Sequence, residues 1–251
     1  MSYGHFSEDG REFIITTPQT PRPWINYLSN GDYCGLVSNA GGGFSFYKDH
    51  RFHGVLRREF RQFSDDLPAR LWYVQDERGE YWTANGLIDY DRYEARHGPG
   101  YTNIAVSRQD IATKVEWFAS PEVDGEFATF TICNHSDRRQ TFRVFSYLEF
   151  ILGNFMQDAH ERTFANLFLR AEPAPRGLAF YNNRWSLDGE FAANDQWPLK
   201  ACVVSDTAPE GWTGNRDDFV GYKNSLLTPE LLKTCGSLAP PAGTQTGIDP
   251  A

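Results

Sequence analysis

Long apolar runs are missing from this chain of 251 residues, so no segment has the length of a bilayer-spanning helix, and a membrane partner is set aside. The opening MSYGHFSEDGREF has no basic cluster followed by an apolar core and no small-residue cleavage site. That pattern lacks a secretory signal, and a cytoplasmic location is the default expectation. Paired cysteine motifs are missing too. Cys34, Cys133, Cys202 and Cys235 are far apart, with no C-x-x-C and no histidines at zinc-finger spacing. Structural zinc and a disulfide framework are therefore not expected, and four buried thiols are. Positive charge is scarce: 24 Lys and Arg stand against 33 Asp and Glu, a net charge of −9. Without a basic stripe, nucleic acid is excluded as a partner. No helical period is sustained before residue 150, and there are no internal repeats.

What the chain has is strand and turn. In Ile111-Ala112-Thr113-Lys114-Val115-Glu116-Trp117 large apolar residues alternate with Ala, Lys and Glu, the period of two that gives a strand one buried and one wet face. Glu126 to Cys133 and Thr141 to Phe150 repeat the pattern, and Asn134-His135-Ser136-Asp137 between them reads as the turn of a hairpin. Further turn clusters fall at Ser29 to Asp32, Asn39 to Gly43, Glu77 to Gly79, His97 to Gly100 and Val123 to Gly125, the short spacing of an all-β sandwich or barrel. The best helix candidate is Pro229 to Lys233, with Thr228 as cap and Pro229 in the first turn. The segment from Gly236 to Ala251 has no periodicity and reads as a loop.

Aromatics make up 15% of the chain, with 7 Trp, 12 Tyr and 19 Phe, more than an ordinary core requires. Aromatic faces stack on the C–H faces of sugars, but large sandwiches also fill their cores with rings. Packing between sheets is therefore the expectation for Trp24, Tyr33, Trp72 and Trp82. Gly41-Gly42-Gly43 offers backbone N–H groups to an anion, yet a strand, Phe44 to Tyr47, follows it rather than a helix, which favours a hairpin turn over a phosphate cradle. Asp65-Asp66 and Asp217-Asp218 are adjacent pairs that an extended chain would point to opposite faces, unlike the opposed carboxylates of glycoside cleavage. They read as solvated loop charges. The densest polar cluster is Asp158 with His160, Glu161 and Arg162, within the stretch Gly153 to Phe164. It has no Ser or Cys nucleophile motif, and the stretch's dozen residues mix donors, acceptors and rings in what reads as a loop suited to binding.

The stretch PRPWINYLSNGDYCGLVSNAGGGFSFYK from Pro21 to Lys48, with Tyr3-Gly4-His5-Phe6, Glu12 to Thr16 and the hairpin joining Leu71-Trp72-Tyr73-Val74 to Glu80-Tyr81-Trp82, resembles the N-terminal domain of glycoside hydrolase family 94, the inverting disaccharide phosphorylases. The resemblance covers most of the chain. It implies an all-β fold, a large antiparallel β-sandwich of the galactose mutarotase-like supersandwich type filling residues 1–251 and truncated at its C-terminal end. It also implies a disaccharide and inorganic phosphate as substrates, no metal and no other cofactor, and a homodimer. Phosphate is the nucleophile in this family, so one carboxylic acid protonating the departing oxygen suffices. That Asp lies in a helical (α/α)6 barrel with no counterpart in these residues, and the chain alone is expected to be inactive. In dimeric relatives the loop matching Gly153 to Phe164 reaches the acceptor end of the neighbouring active site. The resemblance thus nominates Gln157, His160, Arg162 and Thr163 as substrate-binding, against an alternative in which the loop only closes the domain edge. Arg162 would suit an acidic acceptor through a bidentate contact, whereas a neutral sugar needs only hydroxyl partners. A related β-1,2-glucan-processing enzyme fits less well around Tyr47-Lys48. The rival from another class is a stand-alone, non-catalytic carbohydrate-binding or assembly module.

Overall fold

A computed structural model describes residues 2–57, 70–183 and 200–238. Asp65-Asp66 and all but the first three residues of the C-terminal segment lie outside them. The strands are β1 (Gly4–Phe6), β2 (Phe13–Ile15), β3 (Ile25–Ser29), β4 (Tyr33–Ser38), β5 (Gly43–Tyr47), β6 (Gly54–Leu56), β7 (Arg70–Asp76), β8 (Tyr81–Thr83), β9 (Arg92–Gly98), β10 (Tyr101–Arg108), β11 (Ile111–Ala119), β12 (Glu126–Asn134), β13 (Phe142–Leu148), β14 (Phe150–Gly153), β15 (Leu169–Ala174), β16 (Gly177–Asn182) and β17 (Ala201–Val204). Three helices accompany them: α1 (Phe155–Asn166), α2 (Arg216–Phe219) and α3 (Glu230–Lys233). None of the described helices is long and apolar enough to cross a membrane. The chain divides into two units, residues 1–48 with 58–148, and residues 49–57 with 149–251.

In the first unit a six-stranded antiparallel sheet runs β1-β2-β9-β10-β11-β12, beside the strands β3-β4-β5 and the sheet β13-β7-β8. The alternation in β11 does what it predicts: Ile111, Thr113, Val115 and Trp117 are buried while Lys114 is exposed. Val115 and Trp117 meet Ile15, Leu28, Val37, Tyr93, Ala95, Ile104 and Val106, from strands of both layers, in one core. Trp24 and Trp72 pack against that core, Tyr33 is 4% exposed, and Trp82 is buried with Val74 and Ile111. The aromatics named from sequence thus pack between sheets. The glycine run is a hairpin turn: the Gly41 and Gly42 N–H groups donate to Ser38, and Gly43, at φ 114°, opens β5 where a Cβ would strike the Leu36 carbonyl. Its N–H groups are spent inside the fold rather than offered to an anion.

Two strand expectations are corrected. β12 and β13 do not form a hairpin with each other; β12 pairs with β11, and β13 pairs with β7. The turn itself exists, with Asn134 Oδ1 accepting from Ser136 N at 3.0 Å, but each strand finds its ladder elsewhere. The stretch Thr141 to Phe150 is also not one strand, since it breaks between β13 and β14. The thiols are corrected as well. Cys133, Cys202 and Cys235 are exposed and Cys34 is half-buried, because the first two project from the outward faces of strands and the third follows α3.

In the second unit β6 pairs with β14, and β15-β16-β17 form a small sheet. Phe150 and Phe180 stack at 4.3 Å between ring centroids. The helix expected at the end of the chain is present, but Pro229 rather than Thr228 occupies its N-cap, with no side-chain capping bond. Asp217 and Asp218 stand in the first turn of α2 instead of an extended loop, exposed as expected, and Asp218 accepts from Thr213 Oγ1 at 2.7 Å.

Candidate functional site

The segment expected to be a binding loop is the helix α1, the longest helix among the described residues. Its start is encoded locally. Asn154 takes the N-cap with extended backbone, and its side-chain oxygen accepts from Met156 N at 2.8 Å and Gln157 N at 3.2 Å, which satisfies two otherwise orphaned donors. Asp158 follows in the first turn, where a carboxylate complements the helix dipole. Just upstream, the buried Leu152 holds a left-handed φ of 46° where β14 slips out of register between Phe150 and Gly153. A non-glycine residue there costs roughly 1–2 kcal/mol. The bulge turns the chain out of the strand and into the helix.

Gly54 on β6 lets the first turn settle. A Cβ at that position would lie 2.4 Å from Ile151 Cδ1 and 2.8 Å from Phe155 Cζ, so only a glycine lets Phe155 bury. The helix is not regular. Glu161 has φ −132° and ψ 39°, which breaks α1 into two short arms.

Beneath the helix lies a charged cluster that sequence reasoning missed. Arg57, 2% exposed, donates from Nη1 to Glu149 Oε2 at 3.0 Å and from Nη2 to Asp158 Oδ1 at 3.1 Å. The same Nη2 donates to Asn166 Oδ1 at the far end of α1. Arg162 adds a second cation 3.9 Å from Asp158, and Arg216 lies 3.9 Å from Glu149. Burial pushes the Asp158 carboxyl above the usual carboxylate range, and the attraction of Arg57 and Arg162 only partly reverses it. No local signal pointed to Arg57, which is 101 residues from Asp158 in the chain.

The four nominated residues all ride on α1, but they do not share one surface. Gln157 lines a cavity of about 20 Å³ with Asn154, Asp158, Phe168 and Asn182. That volume holds a single water and no sugar. His160, Arg162 and Thr163 instead line a shallow, open depression with Ala159, Glu161 and Phe164. Its volume is about 630 Å³, within the roughly 300–1,000 Å³ of small-molecule clefts. Every described residue lining it belongs to α1, so among the described residues the depression is a single wall. His160 Nδ1 lies 2.7 Å from the Met156 carbonyl, which can only accept; Nδ1 is therefore the protonated nitrogen, and a neutral ring presents the Nε2 lone pair outward. The wall thus offers an imidazole acceptor, a guanidinium donor and a hydroxyl. These are groups that bond sugar hydroxyls or a carboxylate, and Glu161 is the one carboxylate among them. Among the described residues no cluster of His, Cys, Asp and Glu could hold a metal ion.

The chain matches the description "Glycosyl hydrolase 94, supersandwich domain" over residues 11–251. It is 28% identical over 238 residues to the N,N'-diacetylchitobiose phosphorylase of Vibrio proteolyticus, covering 91% of this chain and 28% of that protein. It is 34% identical over 159 residues to the solabiose phosphorylase of Paenibacillus borealis, covering 61% of this chain and 21% of the relative. The cyclic beta-(1,2)-glucan synthase NdvB of Rhizobium meliloti (strain 1021) is 25% identical over 92% of this chain, which corresponds to 8% of the synthase. The chain therefore spans about a quarter of the length of the phosphorylases it matches. With antiparallel sheets, a shared two-layer core and a match running nearly end to end, this chain belongs to the glycosyl hydrolase 94 supersandwich family.

Proposed function

We propose that this domain serves an inverting disaccharide phosphorylase by shaping the acceptor-sugar end of an active site whose reacting groups lie on other polypeptide. The observation that carries the reading is the single-walled depression: His160, Arg162 and Thr163 form one side of a sugar-sized space and α1 supplies no opposite side. A site completed by a second body, a catalytic domain of the neighbouring subunit in a homodimer, accounts for donors and acceptors gathered on one exposed helix. Relatives named as phosphorylases of chitobiose and solabiose support a β-linked disaccharide and inorganic phosphate as the substrates. Three exposed cysteines outside any disulfide suit a reducing compartment, in keeping with the cytoplasm. Gln157 lines the small cavity instead and is left outside the sugar-facing group proposed here. On this reading the 251-residue chain has no turnover of its own, because the acid that protonates the leaving oxygen is elsewhere.

The test is phosphate release from glucose 1-phosphate by the phosphorylase carrying this domain, across a panel of neutral, N-acetylated and acidic acceptors. His160→Ala, Arg162→Ala and Thr163→Val should each raise acceptor KM by about three- to tenfold, the worth of one hydrogen bond, with the KM for glucose 1-phosphate unchanged. Equal kinetics in all three variants, or no phosphate release with any acceptor, would overturn the reading.

A further inference from the structure

We infer that Arg57 is the positioning residue of this site: one guanidinium ties the two ends of α1 together and so fixes the bend that presents His160, Arg162 and Thr163. The inference rests on the acceptor-site reading for its functional consequence, but the tie itself is a matter of geometry. Asp158 stands in the first turn of α1 and Asn166 is its last residue, and both accept from Arg57 Nη2. A primary guanidinium nitrogen carries two N–H groups, one for each oxygen. Eight residues of straight helix advance about 12 Å, whereas here two short side chains eight positions apart reach the same nitrogen. A continuous helix would hold them apart. The bend at Glu161, between the anchors, draws the two arms onto their common donor.

The third hold sets the other end of the arginine. Nη1 donates to Glu149, and the Arg57 backbone N–H donates to the Glu149 carbonyl at 2.8 Å, immediately before β14 leads into the helix. Strand entry, first turn and last turn thus meet on one planar fork. Between the two anchors lie Ala159 to Ala165, and with them His160, Arg162 and Thr163. Asp158 also lies 3.9 Å from the Arg162 guanidinium, so the fork fixes a counter-charge beside that side chain. A lysine keeps the charge of Arg57 but, as a point donor, cannot span three acceptors in a plane.

Two measurements test this. Amide hydrogen exchange of the 251-residue chain should show residues 155–166 exchanging at least about tenfold faster in Arg57→Lys, with residues 169–182 of β15 and β16 unchanged. Asn166→Ala removes only the far anchor and should give the same local loss if the arginine variant does not fold. Unchanged exchange in α1, or equal acceleration throughout the unit, overturns the tie. In the phosphorylase, Arg57→Lys should raise acceptor KM on the order of tenfold with kcat little changed. That effect should vanish in a background of His160→Ala, Arg162→Ala and Thr163→Val. If that triple variant raises acceptor KM but Arg57→Lys does not, positioning is refuted. If protection of α1 is lost while neither variant moves KM, the tie stands and the acceptor-site reading falls.

Discussion

Arg70 and Glu126, the first residues of β7 and β12, form a bidentate ion pair inside the first unit, with the Arg70 side chain fully buried and that of Glu126 14% exposed. Nε and Nη2 of Arg70 donate to the two carboxylate oxygens, the latter at 2.7 Å, while Nη1 donates to the Leu36 carbonyl and Tyr33 Oη donates to Glu126 Oε2 at 2.8 Å. One buried cation thus joins β7, β12 and β4. Replacing Glu126 by Ala strands the guanidinium, and a buried charge left without its partner costs about 3–5 kcal/mol. Replacing both, as Arg70→Met with Glu126→Leu, removes the charge along with its partner and should recover most of that loss. Urea unfolding of the three proteins gives the comparison; a double variant as unstable as Glu126→Ala would show that packing, not the charge, is at stake.

The thiols separate by exposure. Cys133, Cys202 and Cys235 are exposed, and burial pushes the half-buried Cys34 thiol up, with only partial relief from Ser29. The thiolate is the reacting form, so three groups should react quickly with Ellman's reagent in the native protein and the fourth more slowly. A native titration with fewer than three fast groups would restore the four buried thiols that composition suggests.

The strands of the first unit were legible because their signals are local. Ile111 to Trp117 alternates, and the turn at Asn39 to Gly43 carries glycines where left-handed backbone is needed. Partner choice was not legible. The side chains of Asn134 and Ser136 make the expected turn, yet β12 and β13 are claimed by β11 and β7 through contacts no turn sequence encodes. α1 was missed for a different reason. Its buried residues are Phe155, Asp158 and Asn166, two of them polar, so the apolar repeat that marks a helix is absent. The available signal was Asn154 followed by an acidic first turn. The Arg57 fork that replaces an apolar stripe joins residues more than a hundred positions apart.

His97 predicts how the first unit responds to acid. Its Nε2 lies 2.9 Å from the Trp24 carbonyl and its Nδ1 3.0 Å from Thr102 Oγ1. The carbonyl only accepts, so Nε2 carries the proton and Nδ1 takes the Thr102 hydroxyl in a neutral ring. Burial lowers its pKa below the usual 6.5, with the Trp24 bond opposing. A depressed histidine means that the unfolded chain binds more protons in that window. Stability from this group is therefore complete above about pH 6.5 and falls as pH drops through the depressed value. Melting temperatures from pH 7.5 to 5 should decline more steeply for the native sequence than for His97→Gln, and parallel curves would remove His97 as the cause.

Gly54 links strand packing to the candidate site and gives the sharpest steric prediction. A methyl group there meets Ile151 Cδ1 at 2.4 Å, Phe155 Cζ at 2.8 Å and the Gly153 carbonyl at 2.9 Å. The carbonyl is backbone, paired across β6 and β14, and cannot swing aside as a side-chain tip can. The side chains of Ile151 and Phe155 are what can yield, and Phe155 is the first residue of α1, 4% exposed. Gly54→Ala should therefore lift the helix start and cost about 1–3 kcal/mol, the range for overpacking a filled site. Phe155→Leu in the same chain makes room for the methyl group and should return part of that stability, even though it is itself destabilising in the native background. A thermodynamic cycle over the four proteins measures the coupling. Strict additivity would mean that the methyl group is accommodated without moving α1, and that the helix is not seated on this glycine.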